Sequence, residues 1–124
     1  MTARIGIREK PAAAILSMAL MALTACHSYH VDSTIENRTG ETVQLLEVDY
    51  PSASFGTDRL APGAEFHYRF QIEGSDPLTL QYSAPGDRQV HIAGPTLAER
   101  QEGRLLIVLQ PEAKAAFYPQ LTPR

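Results

Sequence analysis

The octapeptide Phe66-His67-Tyr68-Arg69-Phe70-Gln71-Ile72-Glu73 alternates apolar and polar residues without a break. Successive side chains of a strand point to opposite faces, so Phe66, Tyr68, Phe70 and Ile72 share one face and the polar residues share the other. On a helix the same apolar residues would scatter around the cylinder. The stretch predicts a half-buried β-strand with an aromatic inner face, which needs neighbouring strands and a second layer to cover it.

The same period runs through most of the chain after Cys26. Residues 29–36 place Val31, Ser33 and Ile35 together. Residues 42–50 place Val43, Leu45 and Val48 inward, and the Leu45-Leu46 pair breaks the alternation as a bulge would. Residues 54–60 form a weaker candidate. Leu78, Leu80 and Tyr82 alternate, as do Val90 and Ile92. Residues 105–109 are an unbroken apolar run, expected of a central strand or of one covered on both faces. Turn signals fall between these segments: Asn37-Arg38-Thr39-Gly40, Ala61-Pro62-Gly63, Gly74-Ser75-Asp76-Pro77 and Ala84-Pro85-Gly86-Asp87. Residues 94–103 have a helical composition over less than two turns and read as a loop with a turn of helix. About seven short strands without crossover helices predict an all-β protein, an antiparallel β-sandwich, with a small β-barrel as the alternative.

The first 25 residues have a different composition. Arg4, Arg8 and Lys10 give a basic start against Glu9 alone, and residues 12–25, AAAILSMALMALTA, carry no charge. As a helix that run would be about 21 Å long, short of the roughly 30 Å hydrocarbon core of a bilayer. A basic start, a short apolar segment and small residues at its end describe a cleaved secretory signal helix. At the close of the apolar segment, Leu23-Thr24-Ala25-Cys26 resembles the lipobox of bacterial lipoproteins. The resemblance implies cleavage between Ala25 and Cys26, a diacylglycerol on the Cys26 sulfur and acylation of the new N-terminus. Two or more acyl chains anchor a protein stably where one is marginal. His27, rather than Asp, comes after the lipidated cysteine, and the resemblance then implies the outer membrane of the envelope, facing the periplasm.

Cys26 is the chain's one cysteine, so no disulfide supports the exported domain. The signal removes three basic residues and one acidic residue from totals of 11 and 14, leaving 8 and 13 and a net charge of −5. No polybasic patch would add to a lipid anchor, and the acidic balance excludes nucleic acid as a partner. The 124 residues suffice for one domain. Its expected parts are a signal peptide (1–25), a lipidated tether (26–29), a sandwich (30–110) and a proline-rich tail (111–124). The segments IENRTG and LAPGAEF, within residues 35–66, resemble early strands and a turn of immunoglobulin-like domains in bacterial exported proteins. That resemblance implies an immunoglobulin-like sandwich, and the strand pattern alone leaves a transthyretin-like sandwich as an equal expectation.

No constellation of catalytic residues is visible. There is no G-x-S-x-G and no glycine-rich phosphate loop ahead of a helix. Glu47 and Asp49 share one face of one strand and read as a solvated pair. His27, His30, His67 and His91 are dispersed, where a metal site needs three or four converging ligands. Asn37-Arg38-Thr39 fits a glycosylation sequon but reads as a turn in a bacterial lipoprotein. The expectation is a protein without cofactor or metal that is not an enzyme: a lipid-anchored binding or accessory module for another envelope protein. The alternatives are an inhibitor or small-ligand-binding module and a structural subunit of an envelope complex. Candidate partner contacts are Pro51, Ser52 and Phe55 in the loop 51–56, Pro95 and Leu97 in the loop 94–103, and Phe117 and Tyr118 in the tail.

Overall fold

The computed structural model describes residues 27–123. The signal segment, the cleavage position at Ala25 and the lipidation candidate Cys26 lie outside the described residues. Eight strands succeed one another: β1 (Val31–Asn37), β2 (Val43–Tyr50), β3 (Ala53–Leu60), β4 (Glu65–Phe70), β5 (Asp76–Ala84), β6 (Arg88–Leu97), β7 (Gly103–Gln110) and β8 (Lys114–Leu121). They form two four-stranded sheets, β4-β1-β7-β8 and β3-β2-β5-β6, packed as a sandwich. Neither sheet closes on itself, which removes the small-barrel alternative.

The inward faces obey the period-two pattern. Val31, Ile35, Leu105, Ile107 and Leu109 from one sheet meet Val43, Leu46, Val48, Leu78, Leu80 and Tyr82 from the other, all buried. Burying a side chain of this size contributes roughly 1.5–3 kcal/mol, and with no disulfide among the described residues this layer holds the domain together. The side where β3 meets β4 lacks a ladder between the sheets and is closed by aromatic rings instead. Phe55 stacks on Tyr68 at 4.5 Å between centroids and lies 5.4 Å from Phe70, which in turn packs 4.3 Å from Tyr50. Such pairs add about 0.5–1.5 kcal/mol beyond their buried area.

Several expectations change. The sandwich is not wholly antiparallel: β1 runs parallel to β7, from Val31 opposite Gly103 to Asn37 opposite Leu109. A parallel pair needs a long connection, and here the intervening strands β2 to β6 supply it. The tail is not a separate segment but carries an eighth strand. β8 pairs with β7 from Leu121 opposite Gly103 to Lys114 opposite Gln110. Its Pro119 is tolerated because β8 is an edge strand, where one side of the backbone has no ladder to complete. Strand β6 continues to Leu97, and Gly94 and Pro95 form a bulge opposite Leu78. The helical composition beyond it produces only a turn, closed by Gln101 N–H to the Ala98 carbonyl at 3.3 Å. Asp76 and Pro77, expected in a turn, open β5.

The bulge in β2 falls where the Leu45-Leu46 pair placed it, with the faces exchanged. The register to β5 shifts between Gln44 and Glu47. Leu46 is buried, while Leu45 is 65% exposed with φ at 50°. One extra residue moves the apolar position along by one. On β4, Phe70 is buried but Tyr68 is 42% exposed, because an edge strand is covered from one side only. Ile72 stays in the core although β4 ends at Phe70.

Candidate functional site

The up-and-down course of the strands collects the connections at two ends. The N-terminal link, the β2–β3 turn, the β4–β5 connection and the β6–β7 turn lie at one end. The turns β1–β2, β3–β4, β5–β6 and β7–β8 lie at the other.

The first end receives the N-terminal link and fixes it. His27 Nε2 lies 3.3 Å from Glu102 Oε2, and the His27 ring packs edge-on to Tyr29 at 4.5 Å. Gly103 N–H donates to the His30 carbonyl at 3.1 Å, and the His30 ring meets the Gln71 amide at 3.3 Å. The link continues into β1, a central strand bonded on both sides, so a pull on the N-terminus is shared between β4 and β7. The rim of this end carries Glu73, Glu99 and Glu102 against Arg100.

Both loops singled out as candidate contacts lie at this end or are absorbed into strands. Phe55 is a core residue of β3, and Leu97 is a core residue of β6. Pro51 is buried, and Ser52 is exposed in the β2–β3 turn with φ at 81°. Pro95 is half-buried in the β6 bulge. Phe117 folds back onto the core: a Cβ on Gly94 would lie 2.9 Å from its ring. Tyr118 points away, 54% exposed and opposite Leu106 on the outer face of its sheet.

The histidines remain apart. His67 bonds Thr34 Oγ1 at 3.0 Å and lies 3.3 Å from Glu65, while His91 is exposed on the other sheet. Among the described residues no three His, Cys, Asp or Glu side chains converge, and no helix is long and apolar enough to cross a membrane. Glu47 and Asp49 share the outer face of β2. Partial burial, then a hydrogen bond to Glu47 and that residue's charge, raise the Asp49 pKa above its ordinary value. The Gln81 amide donates to Glu47 at 3.3 Å.

The second end holds a cleft of about 280 Å³ between the β1–β2, β5–β6 and β7–β8 turns. Its floor is the end of the core: Val43, Tyr82 and Val90. Its rim carries Arg88 and Glu41, paired at 3.6 Å, and Glu112, which lies 3.9 Å from Lys114. Burial raises the Tyr82 pKa, and the nearby Arg88 partly offsets that rise. The sequence placed Tyr82 on the inner face of β5 but marked neither it nor Arg88 as a site. The available signal was slight: Tyr82 alone in the set Leu78, Leu80 and Tyr82 carries a polar tip.

No family model matches this chain, and no curated protein matches it either. The fold has a counterpart in the NMR structure of a protein from Eubacterium rectale, with a TM-score of 0.54. The alignment covers 75% of this chain and 90% of that one, at 11% identity, and so shows a shared sandwich fold alone.

Proposed function

We propose that the protein is a lipid-anchored envelope lipoprotein whose β-sandwich is a non-enzymatic binding module for another envelope protein. The anchor reading rests on the sequence from Arg4 to Cys26, and the observation that carries the module reading is the division of the two ends. Cys26 is covalently joined to His27, which is held at Glu102. A bilayer holding acyl chains on Cys26 then faces the end that bears Ser52, Glu99 and Arg100. The opposite end and the two outer sheet faces point toward the periplasm. Acidic side chains at the tethered end gain nothing from anionic headgroups, so the acyl chains carry the attachment.

In this arrangement a partner docks at the free end rather than at the loops 51–56 and 94–103, which lie toward the bilayer. Crosslinking the full-length protein in intact cells, then identifying the products by mass spectrometry, tests this. One envelope protein should be recovered reproducibly, with crosslinks to the β1–β2, β5–β6 or β7–β8 turns. Recovery of no reproducible partner overturns the proposal.

A further inference from the structure

We propose that the outer face of the β4-β1-β7-β8 sheet pairs with the same face of a second copy of this chain, about a twofold axis running along the strands between β1 and β7. This face is separate from the free end, so the inference goes beyond the binding-module reading. The anchor reading enters only in the choice between two pairings.

The strand registers set the outward residues of this sheet in rows. Arg69, Asp32, Arg104 and Gln120 make the row nearest the tethered end. His67, Thr34, Leu106 and Tyr118 make the next, followed by Glu65, Glu36, Val108 and Ala116. The middle of the face is apolar: Leu106 lies opposite Tyr118 and Val108 opposite Ala116, and Tyr118 is 54% exposed. Strand β7 is thus apolar on both faces, as strands covered on both sides are. The core accounts for Leu105, Ile107 and Leu109 alone.

The charges select a second copy as the cover. A twofold axis along the strands sets each row against itself in reverse order. Asp32 then faces Arg104 of the second copy, and Arg104 faces Asp32 of the second copy, so two ion pairs form at once. Within one copy Asp32 lies 3.5 Å from Arg69, and among the described residues Arg104 has no ion pair. The axis also sets the two copies of Leu106, and the two of Val108, about one strand spacing (roughly 4.8 Å) apart. In the third row Glu36 keeps Arg38 at 2.9 Å and Glu65 keeps His67 at 3.3 Å.

An axis across the strands would instead set Asp32 against Glu36 of the second copy. It would also point the two Cys26 ends in opposite directions, which anchorage in one bilayer forbids. The outer face of the other sheet does not suit self-pairing. There the equivalent axis, between β2 and β5, sets Glu47 against Gln81 and Asp49 against Thr79, with no ion pair. Four strands about 4.8 Å apart and about 24 Å long give two copies roughly 900 Å² of shared surface. A stable complex buries about 1,200–2,000 Å², so this pair is weak in solution and gains from confinement of both copies to one bilayer.

The test is sedimentation equilibrium of the full-length protein in density-matched detergent micelles, which requires no lipid on Cys26. The wild type should show a reversible monomer–dimer equilibrium with a Kd of about 10 µM to 1 mM. Asp32→Arg and Arg104→Glu both change exposed side chains, and should keep the wild-type thermal midpoint within about 3 °C. Each alone should weaken pairing at least about tenfold, because each sets like charges opposite one another. An equimolar mixture of the two variants should pair as well as the wild type. One variant is then positive at both positions 32 and 104 and the other negative at both. A wild type that stays monomeric up to about 1 mM leaves the face to another occupant and overturns the pairing. Association that neither variant weakens, or a mixture that pairs no better than its components, overturns it equally.

Discussion

The side-chain amide of Asn37, at the end of β1, donates to the Leu60 carbonyl at the end of β3 over 2.9 Å and so ties one sheet to the other. A second donation reaches the Glu41 carbonyl at 2.7 Å. The Asn37 Oδ1 accepts from Thr39 N–H at 3.0 Å and Thr39 Oγ1 at 2.7 Å. The backbone of Asn37 also exchanges hydrogen bonds with Ala64 and Gly63 in the β3–β4 turn. Asn37 is fully buried, and both of its amide hydrogens are used. The free end of the sandwich is organised around this one side chain.

Asn37→Ala takes the side-chain donor from the buried Leu60 carbonyl and the acceptor from the Thr39 N–H, and should cost about 2–4 kcal/mol. Thermal unfolding checks this, with a fall in midpoint of more than about 8 °C expected for a domain of this size. Asn37→Asp should be no better, because it removes both donations to carbonyls.

Gly56→Ala should destabilise for a steric reason. A Cβ there would fall on the carbonyl of Leu46, backbone held in place by the β2 bulge, so a loss of about 1–3 kcal/mol is expected. Gly63 is the contrast: a Cβ there meets open space, and only its φ of +79° opposes a side chain. Urea unfolding of Gly56→Ala and Gly63→Ala should therefore show the larger loss at Gly56, with about 1 kcal/mol at Gly63.

Leu45 combines a left-handed backbone with an exposed apolar side chain. Asparagine tolerates that conformation better and exposes no apolar surface. Leu45→Asn should raise stability by roughly 0.5–1 kcal/mol in the same urea assay.

Asp49 sets a pH dependence. Its pKa is raised in the folded protein, first by burial and then by Glu47. Between the unfolded value of 3.8 and the higher folded value, the native state binds more protons than the unfolded chain. Asp49 therefore lowers stability as pH rises through that window, and the penalty persists at neutral pH. Asp49→Asn should stabilise the protein at pH 7, and the difference from wild type should shrink as pH falls below the window. Denaturation across a pH series measures both.

The period-two pattern revealed the fold where each strand lies regularly between two neighbours. Val31, Ser33 and Ile35 are buried together as their spacing required, and residues 105–109 form a central strand. The pattern misled where an edge or a bulge relaxes the rule. Residues 111–124 read as a proline-rich tail outside the sandwich, yet Pro119 lies in β8, an edge strand whose outer side needs no ladder N–H, and one extra residue in β2 exchanged Leu45 for Leu46. The parallel pairing of β1 and β7 left no local mark, since it depends on how distant segments meet. The cleft was hidden for the same reason. A tyrosine on an inner face is visible in the sequence; which turns meet above it depends on segments far apart in the chain.

The proposed lipid anchor is open to palmitate labelling with membrane fractionation at high salt, comparing the full-length protein and Cys26→Ser in a bacterium that processes lipoproteins. The wild type should be labelled and should stay with the membrane at about 1 M salt, where exposed charges are screened beyond about 3 Å. Cys26→Ser should be unlabelled and released. A Cys26→Ser protein that remained fully membrane-bound would contradict the lipid anchor.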